Sequence, residues 1–339
     1  MMNKSTNMLF LMILFFSVLM SISSNSWFTI WMGMEINMMA FMPMIMEQKN
    51  MMSKESALTY FMVQTIASML MIMSFIIMMM NDKKLNMMNS SMGEIMLMSA
   101  LMMKSGVSPF HFWMPKMMEG LTWNKCLLLM TWQKITPFMV MSNIIKINYI
   151  TMTAMILTIT VGAIGGLNQT SLRKLMAYSS ISNNGWMMAA MLMSETMWMI
   201  YFTIYMMMTV IMTTSMNFYK NYHLNQICSM NESTTKKFFL MMNMLSISGL
   251  PPMMGFMPKW LVIQTTMTMN EFMLMGTMVI MTLITVYFYL RVMFSVMMLM
   301  NNQPKWNFFK NNKNMNPNYL MNTLSLSGLM LITMMLMLN

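Results

Sequence analysis

The chain has 339 residues, of which 57% are hydrophobic and only 9% are charged. A soluble domain carries roughly 25% charged residues, so this composition excludes an ordinary soluble enzyme. We therefore expect an all-α, polytopic membrane protein with a single membrane domain over residues 1–339. Most of the charged residues behind the net charge of +11 lie between apolar segments. There they predict topology and lipid-headgroup contacts, not nucleic-acid binding.

Eleven apolar segments follow one another along the chain, and each is near the ~20 residues that cross a bilayer. The ninth is too long for one helix and is interrupted by glycine and proline. The predicted spans are 6–24, 26–46, 56–80, 93–113, 121–142, 148–167, 172–193, 196–218, 238–268, 272–296 and 319–338.

The basic loop residues sort by side when eleven spans are assumed. Thirteen Lys and Arg residues then lie on the side of the N-terminus, and only Lys83, Lys84 and Lys146 lie on the other. Because basic residues accumulate on the interior side, this bias predicts an interior N-terminus. The 71 methionines indicate a genetic code with an additional Met codon, as in animal mitochondria, where the interior is the matrix. A methionine-rich binding surface is the alternative, but Met occurs on every face of every span.

Two segments, 104–116 and 248–260, break their own helical pattern with glycine and proline. Irregular backbone inside a bilayer is tolerated only where protein or a wet cavity covers it. The breaks resemble each other and fall five spans apart, an odd shift that reverses direction across the membrane. This pattern predicts an inverted repeat, with units over roughly 26–142 and 172–296. A pair of ordinary proline kinks is the alternative.

Four charged residues lie too deep in the predicted spans to reach the surface easily: Glu35, Lys104, Lys134 and Lys259. A charge at the bilayer centre costs roughly 2.5–3.5 kcal/mol, so it persists where it is paired or lines a hydrated path. A buried lysine beside a movable carboxylate meets the physical requirement for a proton relay, and Glu35 is the candidate partner of Lys104. A static ion pair that holds helices together is the alternative.

His111, inside the first break, is a further relay candidate, although a lone histidine is more often a structural hydrogen bonder. The two cysteines, Cys126 and Cys228, lie far apart and have no CxxC or Cys/His spacing, so we expect no metal or iron–sulfur site. No glycine-rich nucleotide-binding pattern occurs, so we expect no cofactor in this chain.

Several motifs together resemble one family, the subunit 2 chains of mitochondrial NADH:ubiquinone oxidoreductase (respiratory complex I), in an insect-like form. The resemblance covers about residues 3–300. The motifs are Met32-Gly-Met-Glu-Ile-Asn37, Lys104-Ser-Gly-Val-Ser-Pro-Phe-His-Phe-Trp113, Gly165-Gly-Leu-Asn-Gln-Thr-Ser-Leu-Arg-Lys174 and Gly249-Leu-Pro-Pro-Met-Met-Gly-Phe-Met-Pro-Lys-Trp260.

The resemblance implies an antiporter-like fold of two inverted five-helix units and a proton relay through Glu35, Lys104, Lys134 and Lys259. It implies a core membrane-arm subunit of a translocase that moves protons as electrons pass from NADH to ubiquinone. NADH, FMN, iron–sulfur clusters and ubiquinone would be handled by other subunits. The implied partners are neighbouring antiporter-like and small membrane-arm subunits and lipids such as cardiolipin, with no nucleic acid. The implied location is the mitochondrial inner membrane, with the N-terminus in the matrix.

The chain departs from this family at one position. Relatives often have a histidine where this chain has Asn183, which cannot titrate, so a relay there would need water or another residue. Two other functions stay open at this point. The chain could be a stand-alone cation/proton antiporter, since the fold is shared, or a passive structural subunit of the membrane arm.

Overall fold

The computed structural model describes residues 4–47, 50–81, 87–230 and 234–298. These ranges form fourteen α-helices and no β-strand, which confirms the all-α prediction. One isolated antiparallel bridge joins Ser171 to His223. The helices group into two compact units, and the boundary between the units follows Thr158.

The first unit is built from seven helices and the first half of an eighth, which continues across the unit boundary. They are α1 (Lys4–Ile22), α2 (Trp27–Ile45), α3 (Met51–Asn81), α4 (Met87–Ser105), α5 (Trp113–Gly120), α6 (Trp123–Met130), α7 (Trp132–Ser142) and α8 (Tyr149–Gly166).

The second unit contains the rest of α8 and six further helices, one of them a five-residue helix in a loop. They are α9 (Leu172–Met193), α10 (Glu195–Tyr219), α11 (Leu224–Cys228), α12 (Thr234–Ser248), α13 (Phe256–Thr268) and α14 (Phe272–Met298).

Serine and threonine side chains satisfy backbone groups where the helices begin and also within the apolar spans. The Ser26 and Ser194 side chains cap α2 and α10 by accepting from the N–H groups of Thr29 and Met197. Inside the spans, hydroxyls donate to their own helix, as Thr158 does to the Met155 carbonyl at 2.7 Å. Hydroxyls that bond in this way are compatible with an apolar environment because they have a local partner.

An exposed apolar stripe runs along one face of α3. Its members recur every three or four residues, the spacing of one helical face, while the opposite face of α3 is buried. Such a face fits lipid. The stripe consists of Leu58, Met62, Ile66, Met69, Met73 and Ile76.

Six of the described helices are long and apolar enough to cross a membrane, namely α1, α2, α3, α8, α10 and α14. The chain is therefore a multi-pass membrane protein. The predicted span 172–193 coincides with α9. The helix α3 begins at Met51, five residues before the predicted span 56–80. The eleventh predicted span, 319–338, lies outside the described residues, and the total of eleven stays a prediction.

Both predicted breaks are present, and each begins at a glycine in the left-handed region. The helix α4 ends at Ser105, and Gly106 has a φ of 74°. The helix α12 ends at Ser248, and Gly249 has a φ of 82°. Since residues with a Cβ rarely adopt this conformation, glycine is what allows each helix to stop at that point.

A third interruption, at Thr131, was not predicted from the sequence. It divides the predicted span 121–142 into α6 and α7. The Thr131 hydroxyl donates to the Leu127 carbonyl at 2.7 Å and competes there with the backbone N–H of the same residue. Threonine bonds of this type bend helices. Two turns later Pro137 removes the N–H that would bond the Gln133 carbonyl.

Candidate functional site

Lys104 lies in the last turn of α4, immediately before the first break, and is 9% exposed. Its ammonium nitrogen is 3.6 Å from the sulfur of Met34, which is a weak acceptor. The Lys104 carbonyl accepts a hydrogen bond from the Gln64 side chain at 3.3 Å. Because the last carbonyls of a helix have no partner in that helix, this bond from α3 satisfies the broken end of α4.

Glu35 lies on α2, next to the Met34 that contacts Lys104. Its Oε1 atom is buried and has no hydrogen-bond partner among the described residues. The carboxylate is near enough to Lys104 and Tyr60 to interact with both electrostatically. The structure therefore places Glu35 and Lys104 in one neighbourhood without a direct ion pair, which does not fit the static-pair alternative.

Three neutral side chains near Lys104 form a hydrogen-bonded chain across α3, α7 and α2. The Tyr60 hydroxyl donates to the Gln133 side-chain oxygen at 3.2 Å. The Gln133 side-chain nitrogen donates to the Asn37 side-chain oxygen at 2.9 Å. These three residues were not among the predicted site residues, which were charged residues and a histidine, although each stands out as a polar residue in an apolar span.

A small polar cavity connects these observations, and we call it the Lys104 cavity. It lies within the first unit, between α2, α3, α4 and α7, and its walls carry the ammonium of Lys104 and the hydrogen-bonded chain. Polar side chains are the groups that hold water inside a membrane protein. The lining residues are Met34, Asn37, Tyr60, Gln64, Lys104, Gln133, Thr136 and Pro137.

Lys134 lies on α7, three residues after the interruption at Thr131, and is 2% exposed. Its neighbour Gln133 lines the Lys104 cavity. Successive helical side chains point about 100° apart, so the two residues face different directions from α7. The first unit thus contains Glu35, Lys104 and Lys134.

His111 lies in the first break and is 7% exposed. Its ring stacks on Phe112 with centroids 4.1 Å apart. The Nδ1 atom is buried without a hydrogen-bond partner in the part of the chain that the structure describes. These contacts fit a packing role, and a relay role for His111 stays a prediction.

Lys259 occupies the first turn of α13, after the second break, and is 7% exposed. Its ammonium donates to the carbonyl of Ser248, the last residue of α12, at 2.6 Å. The same nitrogen is 5.9 Å from the centroid of the Trp186 ring. The C-terminal end of α12 thus binds the ammonium group of a lysine on α13, as expected for a cation at a helix C-terminus.

Gly249 is required here for space as well as for conformation. A Cβ at this position would lie 2.9 Å from Cδ and 3.0 Å from Nζ of Lys259. The lysine side chain therefore passes directly over the glycine backbone on its way to the Ser248 carbonyl. The glycine that ends α12 therefore also leaves the space that the Lys259 side chain occupies.

A second cavity lies within the second unit, and we call it the Asn183 cavity. The Tyr201 hydroxyl, from α10, donates to the Asn183 side-chain oxygen, from α9, at 3.0 Å. Both side chains are buried, and Pro258, the residue before Lys259, lines the same cavity. Asn183 and Tyr201 thus form a neutral hydrogen-bonded pair at this position. The lining residues are Asn183, Tyr201, Ile204, Tyr205, Met208, Ser246, Ile247, Gly255 and Pro258.

No cluster of three or more His, Cys, Asp or Glu side chains that could hold a metal ion occurs within the described ranges. The sequence prediction that this chain carries no cofactor is a separate matter and stays a prediction.

Comparison with known proteins places this arrangement in a family. Residues 24–285 match the family model described as NADH:quinone oxidoreductase/Mrp antiporter, transmembrane region. The chain is 43% identical over 340 residues to the NADH-ubiquinone oxidoreductase chain 2 of Anopheles gambiae, and the match covers 98% of each chain.

Two solved structures share the fold. One is a chain of respiratory complex I from Thermus thermophilus, with a TM-score of 0.80 at 18% identity, covering 98% of this chain and 78% of the other. The second is a chain of the Mrp complex from Dietzia sp., with a TM-score of 0.75 at 12% identity, covering 84% and 59%. At these identities the likeness concerns the fold alone, and it confirms the antiporter-like architecture.

Proposed function

Because the chain belongs to the family of NADH-ubiquinone oxidoreductase chain 2, we propose that it transfers protons within the membrane arm of complex I. Glu35, Lys104, Lys134 and Lys259 carry this transfer. Electron transfer from NADH to ubiquinone, in other subunits, changes the hydration and protonation of these residues and so drives protons out of the matrix. The chain is a core subunit of an H⁺-translocating NADH:ubiquinone oxidoreductase and contributes no redox centre.

The Lys104 cavity is the observation that supports this function. An ammonium, a carboxylate at Coulombic range and a chain of neutral hydrogen-bonding groups meet in a buried space at a helix break. Ionisable groups are kept inside membranes mainly where ions or protons pass. A structural spacer would gain stability from apolar side chains at these positions and has no use for a polar cavity.

The surroundings of the chain follow from the same assignment. We place it in the mitochondrial inner membrane with the N-terminus in the matrix, in contact with neighbouring antiporter-like and small membrane-arm subunits and with lipids. The loop charges and the family support this placement. Sharing the fold with the Mrp complex does not distinguish a stand-alone antiporter, but the 43% identity to a named complex I chain favours the respiratory complex.

Lys104→Met tests the proposal, because it keeps the length of the side chain and removes its proton-carrying nitrogen. In complex I assembled with the variant chain and reconstituted into vesicles, we expect the NADH-driven proton-pumping rate to fall by about tenfold or more. Lys146→Met is the matched control, because Lys146 is an exposed lysine paired with Glu94 at 2.8 Å. Undiminished pumping by an assembled Lys104→Met complex would support the passive spacer instead.

A further inference from the structure

An open, charged cleft lies at the first turns of α3 in the first unit. Its walls come from α3 and α5. The Lys116 ammonium contacts the Glu55 carboxylate at 3.0 Å, and both side chains are more than half exposed, at 62% and 57%. We call it the Glu55 cleft. The lining residues are Met52, Glu55, Ser56, Thr59, Lys116, Glu119 and Gly120.

One face of α3 connects the Glu55 cleft to the Lys104 cavity. Ser56, Tyr60 and Gln64 are spaced four residues apart and therefore lie above one another on that face, about 6 Å apart. All three are buried. Ser56 lines the cleft, while Tyr60 and Gln64 line the cavity. A continuous polar strip thus leads from the exposed charges inward to the buried lysine.

Tyr60 is the point where this strip passes from the cleft to the cavity. Its ring packs against Phe41 and Trp113, with centroids 5.4 Å and 6.0 Å away. Its hydroxyl is bonded to Gln133 on the cavity side. The Tyr60 hydroxyl is thus a polar group among aromatic rings, positioned between Ser56 of the cleft and the residues that line the cavity.

We propose that protons reach Lys104 from the Glu55 cleft along the Ser56, Tyr60 and Gln64 face of α3. A proton leaves water in the cleft and ends on the Lys104 amine. The Tyr60 hydroxyl accepts one proton from the cleft side as it releases another to the cavity side, so the phenol is unchanged after each transfer. This route rests on the proposed function, because it supplies the lysine that the proposed function uses.

Ser56→Cys allows the route to be blocked from one side. A membrane-impermeant, cationic methanethiosulfonate reagent added to the matrix face of inverted inner-membrane vesicles should modify this cysteine. We expect NADH-driven proton pumping to fall by roughly tenfold, because a fixed positive charge in the strip repels protons. Met51→Cys, an exposed residue in the first turn of the same helix that does not line the cleft, is the matched control and should keep full pumping after modification.

Tyr60→Phe tests the same route without a reagent, because it keeps the ring between Phe41 and Trp113 and removes the hydroxyl. We expect the pumping rate to fall roughly fivefold, the effect of losing one net hydrogen bond. Normal pumping by Tyr60→Phe, by modified Ser56→Cys, or an unmodifiable Ser56→Cys would overturn the route. If Lys104→Met still abolishes pumping in that case, the lysine function stands and the protons arrive elsewhere. Normal pumping by Lys104→Met overturns the proposed function itself.

Discussion

Lys104 and Lys259 each lie beside a helix break, but their ammonium groups contact different kinds of acceptor. Lys259 donates a short, charge-assisted hydrogen bond to the Ser248 carbonyl. Lys104 contacts a thioether, and the neutral Gln64 side chain satisfies the carbonyl of its own helix end. Lys259 therefore has a strong fixed partner, whereas the ammonium of Lys104 is held weakly within its cavity. A weakly held ammonium can exchange protons with less loss of bonding.

Gly249→Ala should destabilise the second break for two reasons. Alanine is disfavoured at a φ of 82°, which costs about 1–2 kcal/mol, and its Cβ would press on the Lys259 side chain. We expect less assembled complex and a lower melting temperature, measured on detergent-solubilised membranes. Gly276→Ala is the matched control, because nothing lies within 4 Å of an added Cβ there. Equal melting temperatures for the two variants would contradict the role assigned to Gly249.

At the level of helices, the features that could be predicted were those that depend only on the local backbone, namely the two helix breaks. Glycine and proline within 104–116 and 248–260 mark both breaks, since those residues change what the backbone can do wherever they occur. The interruption at Thr131 has neither residue at its centre. The interruption depends on the hydrogen bond from the Thr131 hydroxyl to a backbone carbonyl of the preceding turn. Other threonines, such as Thr158, also donate to a carbonyl of the preceding turn, but their helices continue.

Tertiary contacts explain the rest of what the sequence did not reveal. Tyr60, Gln133 and Asn37 are 73 and 96 residues apart in their bonded pairs. Each is recognisable alone only as a polar residue in an apolar helix, and packing of α2, α3 and α7 makes the three one hydrogen-bonded chain. The four charged residues were recognisable alone because a charge inside an apolar span is costly without any knowledge of its neighbours.

The bond between α9 and α10 can be measured by a double-mutant cycle. Asn183→Leu leaves the buried Tyr201 hydroxyl without its acceptor, so we expect a destabilisation of about 1–3 kcal/mol. Adding Tyr201→Phe should recover most of the loss, because both polar partners are then gone. The melting temperature of the solubilised complex is measured for the unsubstituted chain, each single variant and the double variant. Strictly additive single effects would show that the two side chains do not interact.

For the whole molecule, each compact unit contains its own broken helix, its own lysine at the break and its own cavity. The first unit has three relay candidates on separate helices, namely Glu35, Lys104 and Lys134. The second has Lys259 next to a cavity lined by neutral Asn183 and tyrosines. Under the proposed function, the first unit would use titratable groups, whereas the polar groups around Lys259 are neutral hydrogen-bonding side chains. Asn183 lies in the second unit and does not line the Lys104 cavity.

The orientation of the chain in the membrane gives the last prediction. Loop charges predict that Lys116 lies on the matrix side and Lys146 on the opposite side, and the two side chains are similarly exposed, at 62% and 63%. An impermeant maleimide should therefore label Lys146→Cys in mitoplasts with an intact inner membrane, and Lys116→Cys in inverted vesicles. The unsubstituted chain controls for the native cysteines, Cys126 and Cys228, of which the first is buried. The opposite labelling pattern would invert the assigned topology, and the Glu55 cleft would then open to the intermembrane space and release protons instead of collecting them.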